Sequence, residues 1–122
     1  ATWRLLRAGS FPLDEAKDLE RAERTFARGL NPAGVGRQLR AILASGSRNK
    51  QLAGVRVPTL VIHGAADPLV RPEAGRDTAE SIPGAQLLMI DTMGHALPIP
   101  LWPQLIDAIA THAQAASAKA AA

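Results

Sequence analysis

Two rhythms of apolar and polar positions divide this 122-residue chain. In the first, apolar side chains recur every three to four places: Ala16, Leu19, Ala22, Phe26 and Leu30, then Val35, Leu39, Ile42 and Leu43. That spacing places each set along one face of a helix. Ser10 and Phe11 precede Pro12, a favourable first-turn residue, and Asp14 and Glu15 follow near the positive end of the helix dipole. Gly29 supplies a stop. Asn31-Pro32 then restarts the chain as N-cap and first helical residue, and Gly46 ends the second stripe. Gly34 and Gly36 weaken the early turns of that helix. Ser47 is placed to cap a short turn through Leu52.

The second rhythm is denser. Thr59–His63 is apolar on successive positions, the pattern of a strand buried on both faces of a parallel sheet, with Pro58 confined to its start. Pro72 to Ser81 reads as a helix opened by Pro72 and Glu73 and closed before Pro83-Gly84. Gln86–Asp91 is a second strand of the same type. Thr92–Pro100 is a loop carrying Gly94, Pro98 and Pro100. Leu101, Leu105, Ala108, Ile109 and His112 line a final helix that gives way to an Ala-rich tail from Ala113. The fold class is therefore α/β. A helical segment, residues 1–53, precedes a parallel β-α-β-α unit with right-handed crossover, residues 54–122. Two strands are too few for a stable parallel sheet, so the first strand is expected to have a further neighbour.

Composition narrows the function classes. Hydrophobic residues make up 47% and charged residues 20%, ordinary for a globular domain. No apolar run reaches the ~18 residues of a membrane span. Cysteine is absent, which excludes disulfides, thiolate nucleophiles and Cys-based metal sites. Ala1-Thr2-Trp3-Arg4 resembles neither a signal nor a transit peptide, so the chain is expected to be a cytoplasmic piece of a longer protein. The net charge is +3, with ten Lys/Arg against five Asp/Glu in residues 1–53 and four against six in residues 54–122. The basic residues of the first half alternate with acids between Asp14 and Arg24, a solvated, paired face. Nucleic acid is not the expected partner, because no basic cluster with interleaved aromatics is present.

The chemistry-bearing residues follow the strands. Sites in open α/β sheets lie beyond the carboxyl ends of the strands. Asp67 stands just past one such end, in His63-Gly64-Ala65-Ala66-Asp67-Pro68, and His95 stands past the next, in Met93-Gly94-His95. Asp67 could hold a histidine in one tautomer; Asp-Pro is also a common turn dipeptide that would use the carboxylate locally. His95 could act as a general base, or bond its own loop backbone. His63 and Asp67 lack a third ligand at metal-binding spacing, and His63 reads better as a hydrogen-bonded structural histidine. His112 reads as a surface or capping residue, Asp91 as a weaker candidate acid, and Trp3 and Trp102 as core or pocket walls.

His-Gly-x-x-Asp-Pro-Leu-Val at 63–70, a helix ending in Ile-Pro-Gly-Ala at 82–85, an apolar strand and then Met-Gly-His-x-Leu-Pro at 93–98 together resemble the C-terminal part of the α/β-hydrolase superfamily. The resemblance covers residues 55 to about 112. Phe11-Pro12, Asn31-Pro32-Ala33-Gly34 and Gln38-Leu39 resemble the end of the helical cap in ester-cleaving members, such as the aclacinomycin methylesterase-like group. The resemblance implies a Ser-His-Asp triad with Asp67 as acid and His95 as base, a small ester substrate, and no metal or organic cofactor. Two departures stand out. Ala96 replaces an acidic residue often found after the histidine. More important, none of the five serines sits in the Gly-x-Ser-x-Gly elbow that should carry the nucleophile. The expected function is thus that of a C-terminal piece of an ester hydrolase, silent alone, with its serine in a missing N-terminal portion or a second chain. Two alternatives stand beside it: a non-enzymatic assembly module that pairs copies into a homo-oligomer, and a dehalogenase or epoxide hydrolase of the same fold with an aspartate nucleophile.

Overall fold

A computed structural model describes residues 2–9, 11–12 and 14–121, with the side chains of Thr2 and Trp3 left out. Ser10, read as preceding the first turn of a helix, lies outside the described residues, and the reading of Trp3 as a wall falls on a side chain left out. The helices are α1 (Thr2–Leu6), α2 (Glu15–Ala27), α3 (Pro32–Ser45), α4 (Asn49–Leu52), α5 (Pro72–Ser81) and α6 (Trp102–Ala120), with strands β1 (Leu60–Gly64) and β2 (Gln86–Ile90). The strands pair in parallel, Leu60 opposite Gln86 through to Gly64 opposite Ile90. This is the mixed α/β arrangement expected of a partial α/β-hydrolase.

Local chemistry explains most element ends. Asn31 caps α3, its side chain accepting the Gly34 N–H at 2.8 Å, and Pro32 follows as first residue. Gly29 and Gly46 end their helices at φ of 101° and 60°, a backbone that favours glycine. The start of α2 differs from the reading based on Pro12. Asp14 is the N-cap and accepts the Lys17 N–H at 3.1 Å, because a carboxylate satisfies an orphan donor that proline's preset φ cannot. Ser47 Oγ accepts the Asn49 N–H ahead of α4. The last helix also runs further than its amphipathic stripe. It continues to Ala120, since alanine propagates a helix without needing a partner face.

α5 and α6 cover opposite faces of the sheet. Ile90 and Met93 cluster with Leu105 of α6, and Ile62, Leu88 and Leu101 pack against them. Ile62, Leu88 and Ile90 share a face by the period-two rule, which leaves His63 on the other. There Gly75 of α5 closes on the His63 ring; a Cβ at Gly75 would stand 2.7 Å from its Cγ. Most of β1 is half-buried rather than buried, and β2 leaves Gln86 and Leu87 exposed, because few elements flank the pair. The stripes on α2 and α3 are uncovered: Leu19, Phe26, Val35, Leu39, Ile42 and Leu43 are all exposed. Trp102 is also 47% exposed and is no core residue; its indole N–H donates to the Leu97 carbonyl at 3.1 Å.

Candidate active site

Both strands release their chains at the same edge, and the two loops are stitched together by backbone. Ala65 N–H donates to Ile90 O at 3.0 Å, and Ala66 N–H to Met93 O at 3.1 Å. Gly64 makes this approach possible. A Cβ there would stand 2.5 Å from the Gly94 carbonyl oxygen and press on the Met93 carbonyl. Gly94 has the same role towards the first helix, where a Cβ would collide with the Leu6 carbonyl. The Ala96 N–H donates to that carbonyl at 3.0 Å. Arg7, next in the chain, forms an ion pair with Asp18 of α2, both largely shielded at 12% and 16% exposure. The loop bearing His95 is therefore braced by β1, by β2 and by the turn after α1.

Asp67 and His95 meet across this edge. His95 Nδ1 lies 2.8 Å from Asp67 Oδ2. The other carboxylate oxygen, Oδ1, accepts the N–H groups of Leu69 at 2.8 Å and Val70 at 3.0 Å. The turn role and the histidine partnership thus coexist, one per oxygen. The Asp67 side chain is 5% exposed and that of His95 40% exposed. Burial by itself raises the Asp67 carboxyl pKa. The Val70 N–H, the His95 bond and the Leu69 N–H together outweigh it, and the carboxyl is held below its ordinary value. Asp67 is then an acceptor only, so Nδ1 of His95 carries the shared proton and the Nε2 lone pair points elsewhere. Nε2 has no hydrogen-bond partner among the described residues. An exposed imidazole nitrogen with its tautomer set from behind is a proton acceptor ready for a hydroxyl.

The other candidates fall elsewhere. His63 Nε2 bonds the Val70 carbonyl at 3.0 Å and lies 4.0 Å from Asp67 Oδ2. Asp91 follows β2 at an exposed position. His112 Nδ1 lies 3.4 Å from Gln86 Oε1 at the opposite, amino edge of the sheet. A groove of about 610 Å³ opens there, lined in part by Arg56, Pro58, Gln86 and His112. It holds neither Asp67 nor His95. Two bracing contacts escaped the sequence reading, Leu6 to Ala96 and His63 to Val70. Each ends on a backbone carbonyl, which no residue type signals.

Comparison with known proteins finds relatives for part of the chain. Residues 42–100 match the family model described as TAP-like protein, an α/β-hydrolase family, and this stretch contains both Asp67 and His95. Rhodomycin D methylesterase DauP of Streptomyces sp. (strain C5) is 41% identical over 71 residues, 58% of this chain and 24% of its own length. Rhodomycin D methylesterase DnrP of Streptomyces peucetius matches with the same identity and coverage. The chain spans about a quarter of the length of these curated relatives. The similarity is therefore to part of an α/β-hydrolase.

Proposed function

We propose, from the match of residues 42–100 to an α/β-hydrolase family model, that this chain supplies the acid and base of a Ser-His-Asp ester hydrolase whose serine lies outside these 122 residues. The observation that carries the reading is the 2.8 Å Asp67–His95 pair at the carboxyl edge, with Nε2 of His95 left open. In the reaction, His95 Nε2 takes the proton of the attacking serine as its oxygen bonds to the ester carbonyl carbon. Asp67 stays ionised and stabilises the imidazolium. The intermediate collapses, the C–O bond breaks, and His95 returns the proton to the leaving alcohol. Water then repeats the sequence on the acyl-enzyme and frees the acid. The relatives' names make methyl esters of carboxylic acids the first substrates to try.

The test is turnover of a p-nitrophenyl ester. The 122-residue chain alone should be silent, and activity should arise when an upstream portion bearing Gly-x-Ser-x-Gly is supplied. Turnover by this chain alone that vanishes in His95→Ala would overturn the placement of the nucleophile. The uncovered apolar faces of α2 and α3 favour a second reading, in which they pair two copies of the chain. A stable dimer in sedimentation, inactive even with the upstream portion present, would select it.

A further inference from the structure

We propose that His63 is a positioning residue for Asp67, holding the 67–70 turn in the shape that leaves one carboxylate oxygen for His95. The inference rests on the reading of Asp67 and His95 as acid and base. His63 touches neither His95 nor the open Nε2 by any hydrogen bond. Its side chain is 14% exposed at the end of β1, and its Nε2 lies 3.0 Å from the Val70 carbonyl oxygen. A carbonyl only accepts, so His63 Nε2 carries the proton and donates it. Val70 in turn donates its N–H to Asp67 Oδ1. One residue is therefore gripped at both ends, its carbonyl by His63 and its N–H by Asp67.

The consequence falls on the carboxylate. With Leu69 and Val70 N–H both on Oδ1, Oδ2 alone remains for His95 at 2.8 Å. The terminal torsion of an aspartate is broad, so a carboxylate without these anchors would swing and offer either oxygen. The α5 backbone sets the imidazole in place. A Cβ at Gly75 would stand 2.7 Å from His63 Cγ and 2.8 Å from Nδ1, so only glycine lets the ring lie flat against the helix. Strand end, helix wall and turn thus converge on one donor atom.

The experiment is imidazole ¹⁵N–¹H correlation NMR of the 122-residue chain at about pH 8.5, above the ordinary histidine range. In the unaltered chain His63 should be the Nε2–H tautomer and His95 the Nδ1–H tautomer; His63 in the Nδ1–H form would overturn the proposal without any variant. His63→Leu, which keeps volume and removes the donor, should lower the Nδ1–H to Nε2–H ratio of His95 roughly fivefold, the net worth of one hydrogen bond. His63→Gln, whose amide nitrogen reaches the Nε2 position, should restore it to within about twofold. If His63→Leu does not fold, His63→Asn replaces it, since its shorter amide stops at the Nδ1 position. An unchanged His95 ratio in a folded His63→Leu or His63→Asn chain would refute positioning. Asp67→Asn separates the two levels: if it too leaves His95 unchanged, the acid–base pairing fails, and if it alone shifts His95, only the role of His63 fails.

Discussion

Two glycine-to-alanine substitutions should move stability in opposite directions. At Gly64 the new Cβ would stand 2.6 Å from the Met93 carbonyl carbon and 2.5 Å from the Gly94 oxygen. Ordinary carbon contacts begin near 3.5 Å, so the 93–94 loop must retreat by about 1 Å. Met93 is 4% exposed in the core, and its carbonyl accepts the Ala66 N–H at 3.1 Å, so the retreat disturbs packing and a hydrogen bond together. Overpacking costs about 1–3 kcal/mol and the bond about 1 kcal/mol, giving a loss of about 2–4 kcal/mol. Gly36 sits inside α3 with nothing within 4 Å of its would-be Cβ. There alanine removes backbone entropy from the unfolded chain and should stabilise by roughly 0.5–1 kcal/mol. Urea unfolding followed by circular dichroism measures both. With a slope of about 2 kcal/mol/M, Gly64→Ala should lower the midpoint by roughly 1–2 M and Gly36→Ala should raise it by roughly 0.3–0.5 M. A Gly64→Ala midpoint equal to that of the unaltered chain would refute the close approach of the two loops.

Two further outcomes concern the acid and base. The folded state holds the Asp67 carboxyl below its unfolded value, so its stabilising contribution is complete above about pH 4 and fades as pH falls through the lower folded pKa. Urea midpoints measured on the acid side should show that limb in the unaltered chain and a flatter one in Asp67→Asn. In an enzyme that includes the serine, Asp67→Asn should lower kcat by about 10⁴-fold with little change in KM, because the histidine adopts the wrong tautomer. Steady-state kinetics decide it, and a KM effect with kcat intact would assign Asp67 to substrate binding instead.

The strands and α5 were legible because dense apolar runs between prolines and glycines admit few readings. Thr59–His63 and Gln86–Asp91 fall within one residue of β1 and β2. Asp67 and His95 were legible as candidates because both follow strands, yet their pairing needed the register that sets Gly64 opposite Ile90. The turn reading and the catalytic reading of Asp67 competed in the sequence only because a carboxylate was treated as one acceptor; it is two. Amphipathicity identified which faces of α2 and α3 are apolar, but periodicity says nothing about what lies against them, and here those faces are open. The same reliance on stripes ended α6 too early, where backbone propensity alone carries the helix through alanine. The grip of His63 on Val70 was invisible, since its partner is a peptide carbonyl seven residues away.

The bond from Ala96 to Leu6 joins positions ninety residues apart, and it terminates α1 as much as it steadies the loop. A helix end leaves carbonyls without partners, and one of these is satisfied by the residue that follows His95. The first helix is thus a splint for the loop that carries His95. A tag, label or substitution that unwinds residues 2–6 would free the Leu6 carbonyl and loosen His95 while leaving Asp67 and His95 themselves unchanged. Variants that alter the setting of His95 can accordingly arise at this end of the chain, through the backbone carbonyl of Leu6.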